Sequence, residues 1–318
     1  MDQPVVELRE VTKSFDGEKI LNGLSLSIPA GKTTVIAGES GSGKSVLLRM
    51  MNGLTLPDEG QVLLFGEDLK TCGEARRTLL RKRCTMVFQN YALIDSLTVG
   101  QNIAFPLEQN TRMAKPEIDG LVIELLRLLE LEGAIEQLPS SLSGGMKKRV
   151  SLARAVITNP EVVLFDEPTT GLDPIMIEFV DELIMRTQRE YEITSVIISH
   201  DMASNRRLAD QMAMLSEGRI VAVGDFEDVV ASTIPSVQIF MADAKIDRLQ
   251  ESQLEGPIHA TDTTTGDMAV RVTDLHKSFG EKEVLKGISL DIPKNEITVV
   301  IGGSGSGKSV LIKHIIGL

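Results

Sequence analysis

The sequence predicts an α/β fold with a buried parallel core, an antiparallel β layer and a helical subdomain, followed by a partial repeat of its own opening. Three observations carry this expectation. First, the loop Gly38-Glu39-Ser40-Gly41-Ser42-Gly43-Lys44-Ser45 follows the short apolar run Thr33–Ala37 and leads into Val46–Met51, which reads as a helix. Second, the runs 162–165 and 195–198 are apolar or β-branched and each ends at a polar group, as buried parallel strands do. Third, the loop returns as Gly302-Gly303-Ser304-Gly305-Ser306-Gly307-Lys308-Ser309, at an offset of 308 − 44 = 264 positions.

Taken in chain order, residues 5–11 alternate apolar and polar side chains as a half-buried strand does, and residues 20–28 repeat that pattern around Gly23. Together they predict the antiparallel layer. The loop at 38–45 has the form G-x-x-x-x-G-K-S. In this motif glycines let the backbone N–H groups curl round nucleotide phosphates, lysine reaches the β- and γ-phosphates, and the serine hydroxyl takes Mg²⁺. Strand, loop, helix is the order the motif requires. After Pro116, apolar residues fall at Ile118, Leu121, Val122, Leu125, Leu128 and Leu129, a helical stripe that places the helical subdomain between 117 and 131. A strand over 218–224 and a helix over 225–231 are expected to complete the domain.

Apolar content drops from Ala242 to Met268, where Thr263, Thr264 and Thr265 stand together and no period survives, so 242–268 reads as a polar linker. The boundaries predicted are therefore a complete domain over 1–241, the linker, and a truncated second copy over 269–318. Aligned at the offset of 264, residues 6–54 and 270–318 are identical at 23 of 49 positions. The second copy carries a phosphate loop without the rest of the machinery, and about fifty residues cannot cover their own apolar faces.

Composition narrows the function classes. A net charge of −12 and the absence of a basic stripe interleaved with aromatics argue against a nucleic-acid partner. Cys72 and Cys84 show no metal-ligand spacing and read as ordinary thiols of a reducing compartment. No apolar run approaches the roughly 18 residues of a membrane span, so a membrane role would need a partner to supply the span.

The residues with chemistry follow the first loop. Asp166 and Glu167 end an apolar strand, where side chains of a parallel sheet emerge beside a phosphate loop. Asp166 suits the Mg²⁺ shell, and Glu167 suits accepting a proton from the attacking water. His200 ends another such strand and, near Glu167, would contact the γ-phosphate. Ser143, Gly144 and Gly145 open a helical run, and backbone N–H groups with a hydroxyl at a helix start make a second anion site. Two phosphate sites are too many for one ATP unless the second serves another subunit. Lys147, Lys148 and Arg149 are expected to form a solvated helix face.

In order, the loop at 38–45, Gln89, the Leu-Ser-Gly-Gly at 142–145, the strand ending in Asp166 and Glu167, Gly171-Leu172-Asp173 and His200 resemble the ATPase domains of ABC transporters over residues 5–240. The resemblance implies a P-loop NTPase of the ABC ATPase type with a RecA-like core, binding ATP and Mg²⁺. It also implies a head-to-tail dimer, with itself or a second ABC ATPase, in which 38–45 of one subunit and 143–145 of the other enclose each ATP. By position, Phe15 would stack on adenine, Gln89 would sense Mg²⁺ and the permease, and Asp173 would lie at the dimer seam.

A narrower resemblance rests on residues 87–99, on 102–107 and on Met146 after Ser-Gly-Gly, and points to the ATPase subunit of Mla-type phospholipid transporters. Asn90, Tyr91, Ile94 and the attached second copy depart from that pattern. The expectation is an ATPase on the cytoplasmic face of the inner or plasma membrane, driving a separate permease that docks between Gln89 and Glu108 and moves lipid. Two rivals stand beside it: an importer ATPase for amino acids or a metal chelate, and a soluble tandem ATPase acting on ribosomes or DNA.

Overall fold

A computed structural model describes residues 3–242, 268–280, 282–295, 297–300 and 306–317. The chain divides into two units, Met1–Glu251 and Ser252–Leu318. The predicted linker falls almost wholly outside the described residues.

In the first unit the expected alternation forms β1 (Val6–Phe15) and β2 (Glu18–Ile28), paired antiparallel with Val6 opposite Ile28. β3 (Thr33–Ala37) is buried at every position and leads through the glycine loop into α1 (Lys44–Met51). β4 (Glu59–Leu64) and β5 (Glu67–Asp68) extend the first layer to the order β2-β1-β4-β5. α2 (Gly73–Arg83) then delivers the chain to β6 (Cys84–Val87).

The helical subdomain comprises α3 (Val99–Asn110), α4 (Lys115–Leu128) and α5 (Gly144–Val156). α4 buries Ile118, Val122, Leu125 and Leu128 of the stripe read from sequence, and ends at Leu128, earlier than the stripe suggested. β7 (Val162–Asp166), α6 (Pro174–Tyr191), β8 (Thr194–Ile198), α7 (Met202–Leu208) and β9 (Gln211–Ser216) follow. β10 (Arg219–Gly224), α8 (Phe226–Val230) and α9 (235–242) close the unit.

The main sheet runs β10-β9-β3-β8-β7-β6, parallel throughout except for the β9–β10 pair. β3, β7 and β8 are buried along their whole length, because helices or the antiparallel layer cover both faces. One core joins the antiparallel layer, α1 and the sheet through Leu8, Leu26, Leu47, Met51 and Leu164; a second joins the sheet to the helical subdomain through Phe165, Val150, Leu125 and Leu183. A third, with Met212, Met214, Val229 and Phe240, seats the last helices.

Four helices that carry site segments begin with a side-chain cap. Thr98 accepts from Gln101 N, Ser143 from Met146 N, Asp173 from Met176 N, and Asp201 from Ala203 N and Ser204 N. Each such cap is worth about 1 kcal/mol and fixes where the helix starts.

The second unit holds β11 (Met268–Phe279), β12 (Lys282–Pro293) and α10 (Lys308–Ile315). Its hairpin repeats the first one pair by pair at the offset of 264: Val270 faces Ile292 as Val6 faces Ile28, and Leu275 faces Ile288 as Val11 faces Leu24. The irregularities recur too, since Glu10 and Asp274 both have φ 48. Gly302, Gly303, Ser304 and Gly305 of the second loop lie outside the described residues, whereas Gly307 caps α10 at φ 93 as Gly43 caps α1 at φ 100.

Candidate functional site

The sheet order explains the site. β3, β8, β7 and β6 are adjacent parallel strands, so the segments that follow them leave from one edge. They carry, in that order, the glycine loop, His200, Asp166 with Glu167, and Gln89. Residues as far apart in sequence as Ser45 and Asp166, or Gln89 and Glu167, meet for this reason.

The glycine loop is held by its own main chain. A Cβ on Gly38 would stand 2.2 Å from the Leu215 carbonyl oxygen of β9, so no other residue fits without moving a strand. Lys44, 7% exposed, donates to the carbonyls of Gly38 and Glu39, each at 2.7 Å. Burial lowers its pKa, opposed by the fields of Glu167, Asp166 and Glu39. Ser42 N donates to Glu39 O at 3.2 Å, while Ser42 Oγ is buried without a hydrogen-bond partner. Ser40 and Gly41 are exposed at the tip. An orphaned hydroxyl inside a curl of backbone amides fits an anionic oxygen.

Ser45 Oγ donates to Asp166 Oδ1 at 3.1 Å. Burial pushes the Asp166 carboxyl up, and the Ser45 hydrogen bond opposes the rise. Two adjacent hard oxygens suit a magnesium ion that keeps its remaining positions for water and phosphate. Among the described residues no group of three or more His, Cys, Asp or Glu could hold a metal ion.

Glu167 is gripped from several sides. Its N–H donates to Ile198 O at 3.1 Å, and its backbone is left-handed at φ 50. Gln89 Nε2 donates to Oε2 at 3.0 Å, Thr170 Oγ1 donates to the same oxygen at 2.9 Å, and His200 Nδ1 stands 3.6 Å from Oε1. The structure thus brings Gln89, Glu167 and His200 together. Thr170 was missed in the sequence, because a threonine three residues after a carboxylate carries no distinguishing signal.

The other expected residues form a separate group. Gly145 packs so closely on α6 that a Cβ there would reach Met176 Cε at 2.5 Å, and Met176 N is capped by Asp173. Ser143 and Asp173 therefore sit on neighbouring helix starts. Gly144 lies beside the Tyr91 hydroxyl, and Ser143 Oγ accepts from Met146 N of its own helix. These neighbours belong to α5, α6 and the segment after β6, not to the glycine loop. Phe15 is 46% exposed at the end of β1, with Lys13 Nζ 5.3 Å from its ring, and so is not a core residue. Of the second loop, Ser306, Gly307, Lys308 and Ser309 are described, with α10 beginning at Lys308.

The expectation of a solvated face at 147–149 is corrected. Lys148 is 6% exposed and donates to Glu167 O at 3.0 Å. Arg149 is partly buried and donates to Leu129 O and Glu130 O at 3.0 and 3.1 Å. Carbonyls at the end of α4 and beyond β7 draw these cations inward, a demand that composition alone does not reveal.

Known proteins are similar to this chain over 70% or more of its length. The ABC transporter family pattern matches residues 21–170 and 285–318. The methionine import ATP-binding protein MetN of Caulobacter vibrioides is 41% identical over 227 residues, 71% of this chain and 68% of that protein. The intermembrane phospholipid transport system ATP-binding protein MlaF of Escherichia coli K12 is 36% identical over 244 residues, 76% of this chain and 91% of that protein. The dimeric post-hydrolysis structure of the ATP-binding cassette MJ0796, bound to ADP and Pi, aligns with a TM-score of 0.65 and 31% identity, over 70% of this chain and 98% of that one. The chain belongs to the ABC transporter family, as an ATP-binding subunit that hydrolyses ATP.

Proposed function

We propose that this chain is the ATPase of a lipid-moving ABC transporter, working as a head-to-tail dimer on the cytoplasmic face of a membrane whose permease docks between Gln89 and Glu108. The observation that carries the catalytic part is the convergence of Gln89, Thr170 and His200 on the Glu167 carboxylate, beside the Ser45–Asp166 pair. Among the described residues no helix is long and apolar enough to cross a membrane, so the reading requires a separate spanning partner.

In this reading residues 38–45 cradle the ATP phosphates, Lys44 turns from its own loop carbonyls to the β- and γ-phosphates, and Phe15 receives the adenine. Ser45 and Asp166, with Gln89, would hold Mg²⁺, which when bound neutralises phosphate charge. Glu167 accepts the proton of the attacking water as its oxygen bonds to the γ-phosphorus and the bond to the ADP oxygen breaks. His200 orients that water and the γ-phosphate. Ser143, Gly144 and Gly145 face the partner's nucleotide, which accounts for their grouping with α6 and Tyr91 instead of this protomer's own loop, and Asp173 sits at the seam. MJ0796 forms a dimer with ADP and Pi, which supports this arrangement.

Lipid as cargo is supported by Met146 after Ser-Gly-Gly and by the match to nearly the whole of MlaF. The 41% identity with MetN favours a second reading, methionine or another amino acid. Glu167→Gln tests the catalytic part: hydrolysis should fall by roughly 10² to 10⁴ while ATP still binds and dimers accumulate, as measured by phosphate release and light scattering. Unchanged turnover would remove Glu167 from its role. The cargo is decided by purifying the chain with its membrane partner and reconstituting both in vesicles. ATP-dependent movement of labelled phospholipid supports the first reading, and uptake of labelled methionine alone would replace it with the second.

A further inference from the structure

Helix α5, which starts at the Ser143–Gly145 tip, reaches back into its own protomer's site through side chains spaced three residues apart. Lys148 Nζ donates to Glu167 O at 3.0 Å, Ser151 Oγ to Tyr91 O at 3.0 Å, and Arg154 to Ala92 O and Tyr91 O at 2.6 and 3.0 Å. The accepting residues share a feature: Tyr91, Ala92 and Glu167 all hold left-handed backbones, at φ 62, 48 and 50. Such conformations persist in non-glycine residues only where the surroundings impose them, and here side chains of one helix hold all three carbonyls.

Lys148 is the most unusual of the three donors. Its side chain is 6% exposed and lies beside an apolar cavity lined by Phe88, Tyr91, Phe165, Pro168 and Val180. Nζ stands 5.8 Å from the centre of the Tyr91 ring and makes its hydrogen bond to a neutral carbonyl. A methionine or leucine would fill this space without the cost of desolvating an ammonium, so packing does not account for a lysine.

We propose that Lys148 is a positioning residue for Glu167, fixing through the main-chain carbonyl the left-handed backbone from which the carboxylate meets Gln89, Thr170 and His200. The same contact ties the acid to the helix whose tip faces the partner's nucleotide. The inference rests on the reading of Glu167 as general base, and it names a residue acting through Glu167 rather than one touching ATP.

The test is a variant series in the full chain with its transport partner, read as kcat and KM for ATP at constant pH, with melting temperature as a check of folding. Lys148→Met should lower kcat about 10- to 100-fold, the range expected for loss of a charge-assisted hydrogen bond and a displaced catalytic group, with KM within about 2-fold. Lys148→Arg, which restores a cationic donor, should recover most of the rate, and Lys148→Gln should fall between. In a Glu167→Gln background Lys148→Met should cost no more than about 2-fold, because the group it positions is gone. Should Lys148→Met fail to fold, the Arg and Gln variants and the same cycle with Lys148→Gln decide. Equal kcat across the series, a loss confined to KM, or an undiminished loss in the Glu167→Gln background would overturn the proposal. A Glu167→Gln variant that turns over normally would instead defeat the underlying reading, and the two failures are therefore distinguishable.

Discussion

Ser45 Oγ and Asp166 Oδ1 lie 3.1 Å apart although 121 positions separate them in sequence. β8 stands between their strands in the sheet, so the contact forms above its end, with the serine at the start of α1 and the acid at the tip of β7. Magnesium prefers such carboxylate and hydroxyl oxygens and retains several waters. Asp166→Asn should therefore raise the magnesium concentration for half-maximal hydrolysis about 10-fold or more, while ATP binding measured with a chelator present stays within about 2-fold. Coincident magnesium titrations for the two proteins would take Asp166 out of the ion's shell.

The duplicated loop makes a paired prediction. Lys44 belongs to a unit that also supplies Asp166, Glu167, His200 and Ser143, whereas residues 269–318 contain neither an Asp-Glu pair nor a Ser-Gly-Gly motif. Lys44→Ala should weaken ATP binding at least about 10-fold and abolish measurable hydrolysis, while Lys308→Ala should leave phosphate release within about 2-fold of the parent. Loss of turnover in Lys308→Ala would show that the second loop takes part in catalysis.

What could be read in advance followed from strong local periods and exact motifs. β1, β2, β3, β7 and β8 carry alternation or short apolar runs, and each lies where those runs placed it, within a few residues at the ends. β6 and β9 gave no comparable signal, since Cys84–Val87 and Gln211–Ser216 are recognisable as strands only by the parallel neighbours they acquire. Thr170 and Lys148 were illegible for a different reason. Thr170 meets the Glu167 carboxylate within the turn that follows β7, a contact its residue type does not announce, whereas the Lys148 contact exists only once the fold has brought α5 to the end of β7. Lys148 was misread because a lysine beside another lysine and an arginine ordinarily faces water, whereas here the Glu167 carbonyl lies within reach of its four-carbon stem.

Burial of Lys148 also makes stability depend on pH. Removal from water lowers its pKa from 10.5 to about 8, with the field of Glu167 opposing the shift. Between these values the unfolded chain holds a proton that the folded chain has released, so folding becomes more favourable as pH rises through the window. Below about pH 8 both states are protonated and the folded state bears the full cost of a buried charge. The difference of 10.5 − 8 = 2.5 units corresponds to ~3 kcal/mol at most. Cys84, whose burial pushes its thiol far up, works in the opposite sense above 9.0, so the informative quantity is the stability of the parent minus that of Lys148→Met. In urea unfolding this difference should increase by about 2–3 kcal/mol between pH 8 and 10.5, and stay level between pH 6 and 7. A flat difference across the whole range would mean that Nζ keeps its proton in the folded protein as readily as in water.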